Sequence, residues 1–288
     1  MTADPRALEA AVRAALARAG WGPRRLALVS PLGERKGMRY AYRVETDDGR
    51  TVKARHFGSA AEARRVEALR LGLDDAFAPV LGRVGAVLIE AWLDGVMLAA
   101  AEADAWTGAA GAVLGRLHAR RLAPAVATQD DTRRWNEAAA VDVALLQEAE
   151  VLSGTTSDVV RAALRRHDPG RARLALIHKD FCAENMLIDT QRRLRIIDTE
   201  QLAVEPIGFD LAWTWHRWPM SPQAWAQFMA GYRSAMPAVP EAGEYWRIVT
   251  GLTLARVFFQ RMPARLPAQL ASLLRCVAMA AGEERSTP

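Results

Sequence analysis

The sequence concentrates residue types suited to catalysis in one short stretch, LIHKDFCAENMLID. His178, Asp180 and Asn185 have the spacing His-x-Asp-x-x-x-x-Asn there. Short apolar runs on both sides predict two strands joined by a loop that carries the polar residues. The chain has one other asparagine, Asn136, so this combination is rare against the background of its own composition. The spacing therefore marks the loop as a candidate catalytic site.

Phosphoryl transfer to a hydroxyl needs this set of side chains. One carboxylate orients the acceptor and takes its proton, while an amide oxygen and a second carboxylate hold Mg²⁺ on the phosphates. Asp180 fits the role of base, and Asn185 and Asp198 fit the metal ligands. Asp198 ends the apolar run LRIID, so two adjacent strands would present both ligands at one edge. The structural alternative is that Asp180 caps a turn and Asn185 fills a tight loop.

The composition is that of an ordinary folded protein. The chain has 288 residues, of which 51% are hydrophobic and 25% are charged, and this balance excludes disordered and fibrous classes. Arginine supplies nearly all of the positive charge, because the only lysines are Lys36, Lys53 and Lys179. Acidic residues lie between the arginines and no basic run has interleaved aromatics, so we expect no nucleic-acid partner. No obligate protein partner is indicated either.

Cysteine content and hydropathy bear on the location of the protein. Cys182 and Cys276 are too few and too far apart in sequence for a disulfide framework or a zinc site. The start of the chain has no apolar core of the signal-peptide type, and no stretch approaches eighteen uncharged apolar residues. We therefore expect a cytoplasmic protein that does not associate with membranes.

The first hundred residues predict antiparallel strands with helices at defined places. Pro5 begins an apolar-periodic run that Gly20 ends, which is typical of a helix. After the β-rich run RLALVS, two further runs, MRYAYRVET and RTVKARHF, are joined by Asp-Gly and indicate a hairpin. A helix should then begin after Ser59, and AVLIEAWLDG should form another strand.

The remainder of the chain is mostly helical in pattern. We expect helices without a convincing strand from Met97 to His167, and helices again from Phe209 to Met279. Three short β runs, RLALIH, MLID and LRIID, lie between these regions. The predicted fold class is α+β, with a small antiparallel-sheet lobe over residues 1–94 and a larger, mostly helical lobe over residues 95–288.

Three segments, LIHKDFCAENMLID, LRIIDTEQL and GFDLAWTW, resemble the aminoglycoside phosphotransferase and choline kinase family, which has a protein-kinase-like, two-lobed fold. The resemblance implies that Asp180 is the catalytic base and that Asn185 and Asp198 bind the metal. It implies that His178 and Asp210 support the loop structurally. It also implies ATP as the nucleotide substrate, Mg²⁺ as the metal and a small molecule as the acceptor.

The N-terminal lobe of that family contributes the nucleotide site. The resemblance implies that Lys53, in the middle of a predicted strand, holds the nucleotide phosphates and that a carboxylate on a helix positions it. Glu67 is the first choice for this carboxylate. Glu62 is the second, because it can instead complete a capping box with Ser59.

Two other segments of this lobe match the family less closely. Glu90, Ala91 and Trp92 resemble the linker whose backbone groups bind an adenine edge, although a buried strand followed by a turn would have the same pattern. The phosphate-covering segment, PLGERKGMRY, has only two glycines. We therefore expect Arg35 or Lys36 to reach the phosphates.

We expect specific roles for three further residues of the C-terminal lobe. Lys179 stands where many relatives carry Gly or Asn, and we expect it to neutralise the transferring phosphate. Glu200, two residues after Asp198, is a candidate ligand for a second metal. His118, in LGRLHARRL, is interpreted as structural, because a single helical histidine is more often packed than catalytic.

The acceptor should lie in the helical lobe, whose C-terminal part is rich in aromatic residues. Such rings stack on a sugar or hold a quaternary ammonium, although most of them should belong to the core. After Glu205 the sequence has five acidic residues against eight arginines. This balance argues against a polycationic aminoglycoside as the acceptor.

The leading hypothesis is an ATP- and Mg²⁺-dependent phosphotransferase that acts on a hydroxyl of a small molecule such as an amino alcohol, a sugar or an antibiotic. The alternative is a catalytically inactive nucleotide-binding module, which the atypical phosphate segment supports. A protein kinase is less favoured, because Asp-Thr-Glu stands at 198–200 where Asp-Phe-Gly is expected and no Ala-Pro-Glu follows.

Overall fold

The computed structural model describes residues 5–29, 40–73, 75–98, 103–122, 129–238 and 243–282. The chain divides into two compact units. The first unit comprises Met1–Leu98 together with Glu184–Glu200, and the second comprises Ala99–Ala183 together with Gln201–Pro288. None of the helices in the described ranges has the length and apolar character needed to cross a bilayer.

The described residues of the first unit form a five-stranded antiparallel sheet and two helices. The helices are α1 (Pro5–Arg18) and α2 (Ala60–Arg70). The strands are β1 (Pro23–Leu28), β2 (Tyr40–Thr46), β3 (Thr51–His56), β4 (Val80–Val84) and β5 (Val87–Ala91), in the order β1-β2-β3-β5-β4. The antiparallel sheet confirms the fold class predicted for the N-terminal region.

The hairpin β2–β3 forms where Asp-Gly predicted it. Gly49 has a φ of 81°, a left-handed conformation that glycine adopts without a Cβ clash. Strand β3 pairs with both β2 and β5, so it lies inside the sheet. The apolar faces of α1 and the sheet form one core: Leu8, Val12, Leu16, Tyr42, Val44, Val52, Ala54 and Ile89. A fully buried valine, leucine or isoleucine side chain of this core contributes roughly 1.5–3 kcal/mol.

Helix α2 begins at its predicted cap. The Ser59 hydroxyl accepts a hydrogen bond of 3.1 Å from the backbone N–H of Glu62, which stabilises a helix by about 1 kcal/mol. Ala63 and Val66 of this helix pack against Phe57 and Leu88 of the sheet region.

A second, three-stranded sheet of the first unit carries the predicted runs MLID and LRIID. It consists of β6 (Gly95–Met97), β9 (Met186–Asp189) and β10 (Leu194–Ile196), in the order β10-β9-β6. Strands β9 and β10 form an antiparallel hairpin, in which the Asp189 carboxylate accepts hydrogen bonds of 2.9 Å from the backbone N–H groups of Gln191 and Arg193.

The second unit is mostly helical, with one small sheet among the residues that the structure describes. The sheet contains β7 (Gln129–Asp131), β8 (Arg171–Ile177) and β11 (Ala203–Pro206), in the order β11-β8-β7. The helices are α3 (Thr107–Ala119), α4 (Arg133–Glu148), α5 (Gly154–His167), α6 (Ile207–Arg217), α7 (Pro222–Ala235), α8 (Gly243–Arg261) and α9 (Leu266–Ala281). Their common core includes Leu146, Ile177, Tyr245, Trp246 and Leu252. The predicted run RLALIH and the predicted C-terminal helices are confirmed.

The expectation of no strand between Met97 and His167 is wrong, because β7 lies there. This strand is only three polar residues long and pairs with β8 through its backbone, so it has no hydrophobic periodicity to reveal it.

Helices α3 and α7 approach each other unusually closely. A Cβ atom on Gly111 would collide with the carbonyl oxygen of Phe228, and one on Gly231 would collide with the carbonyl oxygen of Gly108. Glycine is therefore required at these positions. The close packing sets the distance between His118 on α3 and Tyr232 on α7, two residues that support the candidate site.

Candidate active site

The loop that follows β8 is held in place by one carboxylate, that of Asp210. Its two oxygens accept hydrogen bonds of 2.8 Å from the backbone N–H groups of His178 and Lys179. Asp210 lies in the first turn of α6, where a negative charge is also favoured by the helix dipole. The first two residues of the loop are thereby fixed relative to α6.

The Asp210 carboxylate is fully buried and has a third donor. The Nε2 atom of His118 lies 3.1 Å from its Oδ2, and the Nδ1 atom of His118 lies 2.9 Å from the Tyr232 hydroxyl. Burial alone would raise the pKa of Asp210, but the hydrogen bond and charge of His118 and the contacts with His178 outweigh it and lower that pKa. Burial, followed by the charge of Asp210, raises the pKa of Tyr232. His118 is thus buried between Asp210 and Tyr232.

Lys179 has a left-handed backbone with a φ of 66°. That conformation costs a residue with a Cβ roughly 1–2 kcal/mol. The Lys179 ammonium lies 3.8 Å from Oε1 of Glu205 and 6.0 Å from the ring centroid of Phe209. His178 is buried and contacts Phe181 edge-on, with ring centroids 5.9 Å apart.

Asp180 is oriented by α6, the helix whose first turn carries Asp210. The indole Nε1 of Trp213 donates a hydrogen bond of 3.1 Å to Oδ1 of Asp180. The Nε of Arg217 lies 3.7 Å from the same oxygen. Asp210, Trp213 and Arg217 are spaced i, i+3 and i+7, which places them on one face of the helix. One helix face therefore sets both the backbone of the loop and the direction of its carboxylate.

A cavity of about 640 Å³ opens beside this loop, inside the second unit. We call it the helical-unit cavity, and its walls include Trp135, Asp142, Lys179, Phe209, Trp213 and Arg256. The ring centroids of Trp135 and Phe209 are 5.0 Å apart, and those of Phe209 and Trp213 are 5.6 Å apart. Three adjacent aromatic rings thus form one wall, and Trp213 also contacts Asp180.

The two predicted metal ligands belong to the first unit, at one end of the β9–β10 hairpin. Asn185 directly precedes β9, and its carbonyl oxygen accepts a hydrogen bond of 2.9 Å from the N–H of Ile197. Asp198 follows Ile197, so the register brings Asn185 and Asp198 to the same edge. Asp198 has a left-handed φ of 68°, a strained conformation that concentrates at functional sites.

The donor set of this edge fits Mg²⁺. An amide oxygen and a carboxylate are hard ligands, and Mg²⁺ in nucleotide sites is held by one or two carboxylates together with phosphate oxygens and waters. Within the described ranges no group of three His, Cys, Asp or Glu residues is arranged to hold a metal by itself.

Arg55, on β3, was not identified from the sequence, and it contacts three acidic residues of the first unit. Its Nη1 lies 3.1 Å from Oδ1 of Asp198 and also pairs with the Glu200 carboxylate, while its Nε lies 3.4 Å from Oε2 of Glu90. The Arg55 side chain is 4% exposed. Burial lowers the pKa of Arg55, and the negative charge of Asp198 opposes this shift.

Arg70, on α2, extends the same buried network. It pairs with the Glu90 carboxylate and with the carbonyl of Ala78, and its Nη1 lies 3.3 Å from the Thr199 hydroxyl. Glu90 thus lies between two guanidinium groups, and the network links α2, β3 and β5 with the residues that follow β10. Glu200, a predicted second metal ligand, is buried and paired with Arg55.

Lys53 occupies the centre of β3, where it stands opposite Arg43 of β2 and Glu90 of β5. Glu67, the predicted partner of Lys53, makes an ion pair with Arg83 of β4, at 2.6 Å. The helix face that carries Glu67 contacts β4, and a helical pattern alone does not fix which strand a polar face meets.

The remaining predicted nucleotide residues are placed as follows. The Ala91 N–H donates a hydrogen bond of 2.9 Å to the carbonyl of Pro79. The Arg43 guanidinium lies 5.3 Å from the ring centroid of Trp92. Lys36 and the rest of the predicted phosphate-covering segment lie outside the described residues.

The antiparallel sheet of the first unit, the helices of the second unit and the loop held by Asp210 together indicate a kinase-like phosphotransferase fold. The profile of the phosphotransferase enzyme family matches residues 39–245. This is more than half of the chain, and the chain belongs to that family. The predicted family and the prediction of a phosphotransferase enzyme are thereby confirmed.

Solved structures agree with this assignment at the level of the fold. Choline kinase LicA from Streptococcus pneumoniae is 16% identical, with a TM-score of 0.66, over 96% of this chain and 99% of that one. Macrolide 2'-phosphotransferase MphH from Brachybacterium faecium is 16% identical, with a TM-score of 0.60, over 99% of each chain. LicA in complex with AMP is 15% identical, with a TM-score of 0.63, over 95% of this chain and 98% of that one. No curated protein matches the chain significantly.

Proposed function

We propose that this phosphotransferase moves the γ-phosphate of ATP to a hydroxyl of a small molecule, with Mg²⁺ as the metal and Asp180 as the base. The observation that carries the proposal is the position of Asp180. Its carboxylate is oriented by Trp213, and Trp213 is also part of the wall of a cavity large enough for a ligand. A hydroxyl held in that cavity would have a fixed carboxylate to take its proton.

In this proposal the nucleotide is held by the residues of the first unit. Lys53 contacts the phosphates, and Asn185 and Asp198 hold the metal from one edge of the hairpin. Bound Mg²⁺ would neutralise the charge that develops on the phosphates. The AMP complex of LicA supports an adenine nucleotide as the ligand of this fold. We also place this ATP-consuming reaction in the cytoplasm, where Cys182 and Cys276 stay free thiols.

Three further residues have defined roles in the proposal. Lys179 faces the transferring phosphate with its ammonium group, and Lys36 contacts the phosphates from the glycine-poor segment. Glu200 acts through Arg55 on the position of Asp198, since its carboxylate is already paired with that guanidinium. Glu90, Ala91 and Trp92 bind the adenine edge.

A catalytically inactive nucleotide-binding module is the second candidate, and one observation favours it. The Arg55 guanidinium lies 3.1 Å from Asp198, the proposed metal ligand. If this ion pair persisted with nucleotide bound, it would compete with the metal for the carboxylate.

A turnover assay distinguishes the active phosphotransferase from the inactive nucleotide-binding module. Purified protein is incubated with Mg·ATP and a panel of amino alcohols, sugars and antibiotics, and ADP release is followed with wild type and Asp180→Asn. We expect acceptor-dependent ADP release by wild type, reduced about 10²–10⁴-fold in Asp180→Asn, which is the usual contribution of a general base. ATP binding without turnover of any panel member would instead support the inactive module.

A further inference from the structure

The described lining of the helical-unit cavity carries more positive than negative charge. Among its described lining residues, the carboxylate is that of Asp142 and the cations are Lys179 and Arg256. Oδ1 of Asp142 lies 2.6 Å from Nε of Arg256, and the Asp142 side chain is 7% exposed. The second cation, Lys179, faces Glu205. The described lining therefore presents no uncompensated negative charge to a ligand, and the Asp180 carboxylate beside the cavity lies 3.7 Å from Nε of Arg217.

Protein cations already occupy two of the aromatic faces. The Arg134 guanidinium lies 5.0 Å from the ring centroid of Trp135, and the Lys179 ammonium lies 6.0 Å from that of Phe209. A cation held over a ring is attracted by the negative charge of its face. A ligand ammonium would have to share these faces with like charges, which is unfavourable.

The volume of the cavity and its aromatic wall also bear on the kind of ligand. Its volume of about 640 Å³ falls in the range of small-molecule binding sites. The three adjacent rings suit a ligand with a flat face, and Asp180 at the end of this wall suits a ligand with a hydroxyl at its edge.

We propose that the helical-unit cavity selects a ring-bearing hydroxy compound without positive charge, such as a neutral or acidic sugar, as the phosphoryl acceptor. The identification of this compound as an acceptor rests on the proposed function. The charge preference itself is a property of the cavity.

Ligand binding tests the preference without a reaction. Trp135 and Trp213 lie in the cavity wall, so their fluorescence reports occupancy. The full-length protein is titrated with methyl glucoside, glucuronate and glucosamine, which share one ring and carry zero, negative and positive charge, and with choline. We expect the first two to bind at least about tenfold more tightly than glucosamine and choline. Equal or reversed affinities, or no fluorescence response to any sugar, would overturn the proposal.

Parallel turnover assays keep the two claims apart. Binding of the neutral or acidic sugar without phosphorylation would contradict the proposed function and leave the charge preference standing. Phosphorylation of choline or glucosamine in preference to the others would support the proposed function and contradict the charge preference.

Removal of Arg256 should reverse the preference. Arg256→Gln leaves Asp142 without its partner, so glucosamine should gain at least about tenfold relative to methyl glucoside. Arg256→Lys keeps the charge and should keep the order of affinities, as should Arg161→Gln, a change to an arginine that pairs with exposed Asp158.

Circular dichroism checks whether each variant folds. If Arg256→Gln does not fold, Lys179→Gln should shift the order in the same direction. An unchanged order of ligand affinities in the folded Arg256→Gln variant would contradict the proposed charge preference.

Discussion

The indole Nε1 of Trp213 donates a 3.1 Å hydrogen bond to Oδ1 of Asp180. This single contact joins the wall of the helical-unit cavity to the proposed base. Because Trp213 comes from α6, which also carries Asp210, the direction of the Asp180 carboxylate depends on the same helix that holds its loop. The orientation of the base is therefore built into the fold of the second unit.

Trp213→Phe should reduce catalysis while leaving nucleotide binding intact. A hydrogen bond to a charged group contributes about 1.5–3 kcal/mol, which corresponds to a loss of about 10- to 100-fold in kcat/KM for the acceptor. The affinity for Mg·ATP, measured by calorimetry, should not change.

Trp215→Phe is the matched control for that variant. Trp215 lies on the same helix, contacts His216 edge-on and stacks with Arg247, away from Asp180. An equal loss of activity in both variants would show that the hydrogen bond of Trp213 has no particular role.

Asp210→Asn should destabilise the protein in a pH-dependent way. The folded protein lowers the pKa of Asp210 below its unfolded value of about 3.9. The charged form therefore adds stability that is fully present above pH ~4 and is lost as the pH falls through the folded pKa. At pH 7 the variant should be less stable by about 1.5–3 kcal/mol, and the difference should shrink below pH ~4.

Denaturant unfolding at several pH values measures this difference. Asp158→Asn is the control, since the Asp158 side chain is 80% exposed and should contribute little at any pH. A difference between wild type and Asp210→Asn that grows in acid would contradict the assigned direction of the pKa shift.

Arg55→Gln should be strongly destabilising. It removes the guanidinium that contacts Glu90, Asp198 and Glu200, and loss of one partner from a buried charge network costs about 3–5 kcal/mol. Arg55→Lys should recover only part of this loss, because a compact ammonium cannot bridge three carboxylates. Arg50→Gln, at a largely exposed arginine, should change the unfolding free energy by less than about 0.5 kcal/mol.

Substitutions at Lys179 separate the effect of its left-handed backbone on stability from the effect of its charge on catalysis. Lys179→Gly relieves the left-handed strain and should not reduce stability, whereas Lys179→Val should reduce it by about 1–3 kcal/mol. If the ammonium neutralises the transferring phosphate, Lys179→Gly should also lower kcat by about tenfold or more. Full activity of the folded glycine variant would leave Lys179 with no catalytic part.

The sequence predicted those parts of the fold whose signals are local. The hairpin at Gly49, the cap at Ser59 and the strands around the loop of Asp180 follow from turn chemistry, side-chain capping and apolar runs within a few residues. Strand β7 was missed, because three polar residues paired through their backbone leave no periodic pattern.

Contacts between distant parts of the chain were less predictable. Arg55 and Glu200 are adjacent only because β3 and the segment after β10 fold together, and nothing near Arg55 in sequence indicates this. Glu67 was assigned to Lys53 from its place on a helix, yet it contacts Arg83. By contrast, the spacing of Trp213 and Arg217 from Asp210 was a usable signal, since positions i, i+3 and i+7 share a helix face.

The most direct test of the account is a calorimetric titration of ATP into wild type and Asp198→Ala, each with and without Mg²⁺. We predict that wild type binds ATP in a magnesium-dependent manner and that Asp198→Ala loses this dependence and binds at least about tenfold more weakly, as expected when a carboxylate ligand of the metal is removed. A wild-type protein that does not bind ATP, or an Asp198→Ala variant with unchanged magnesium dependence, would contradict the account.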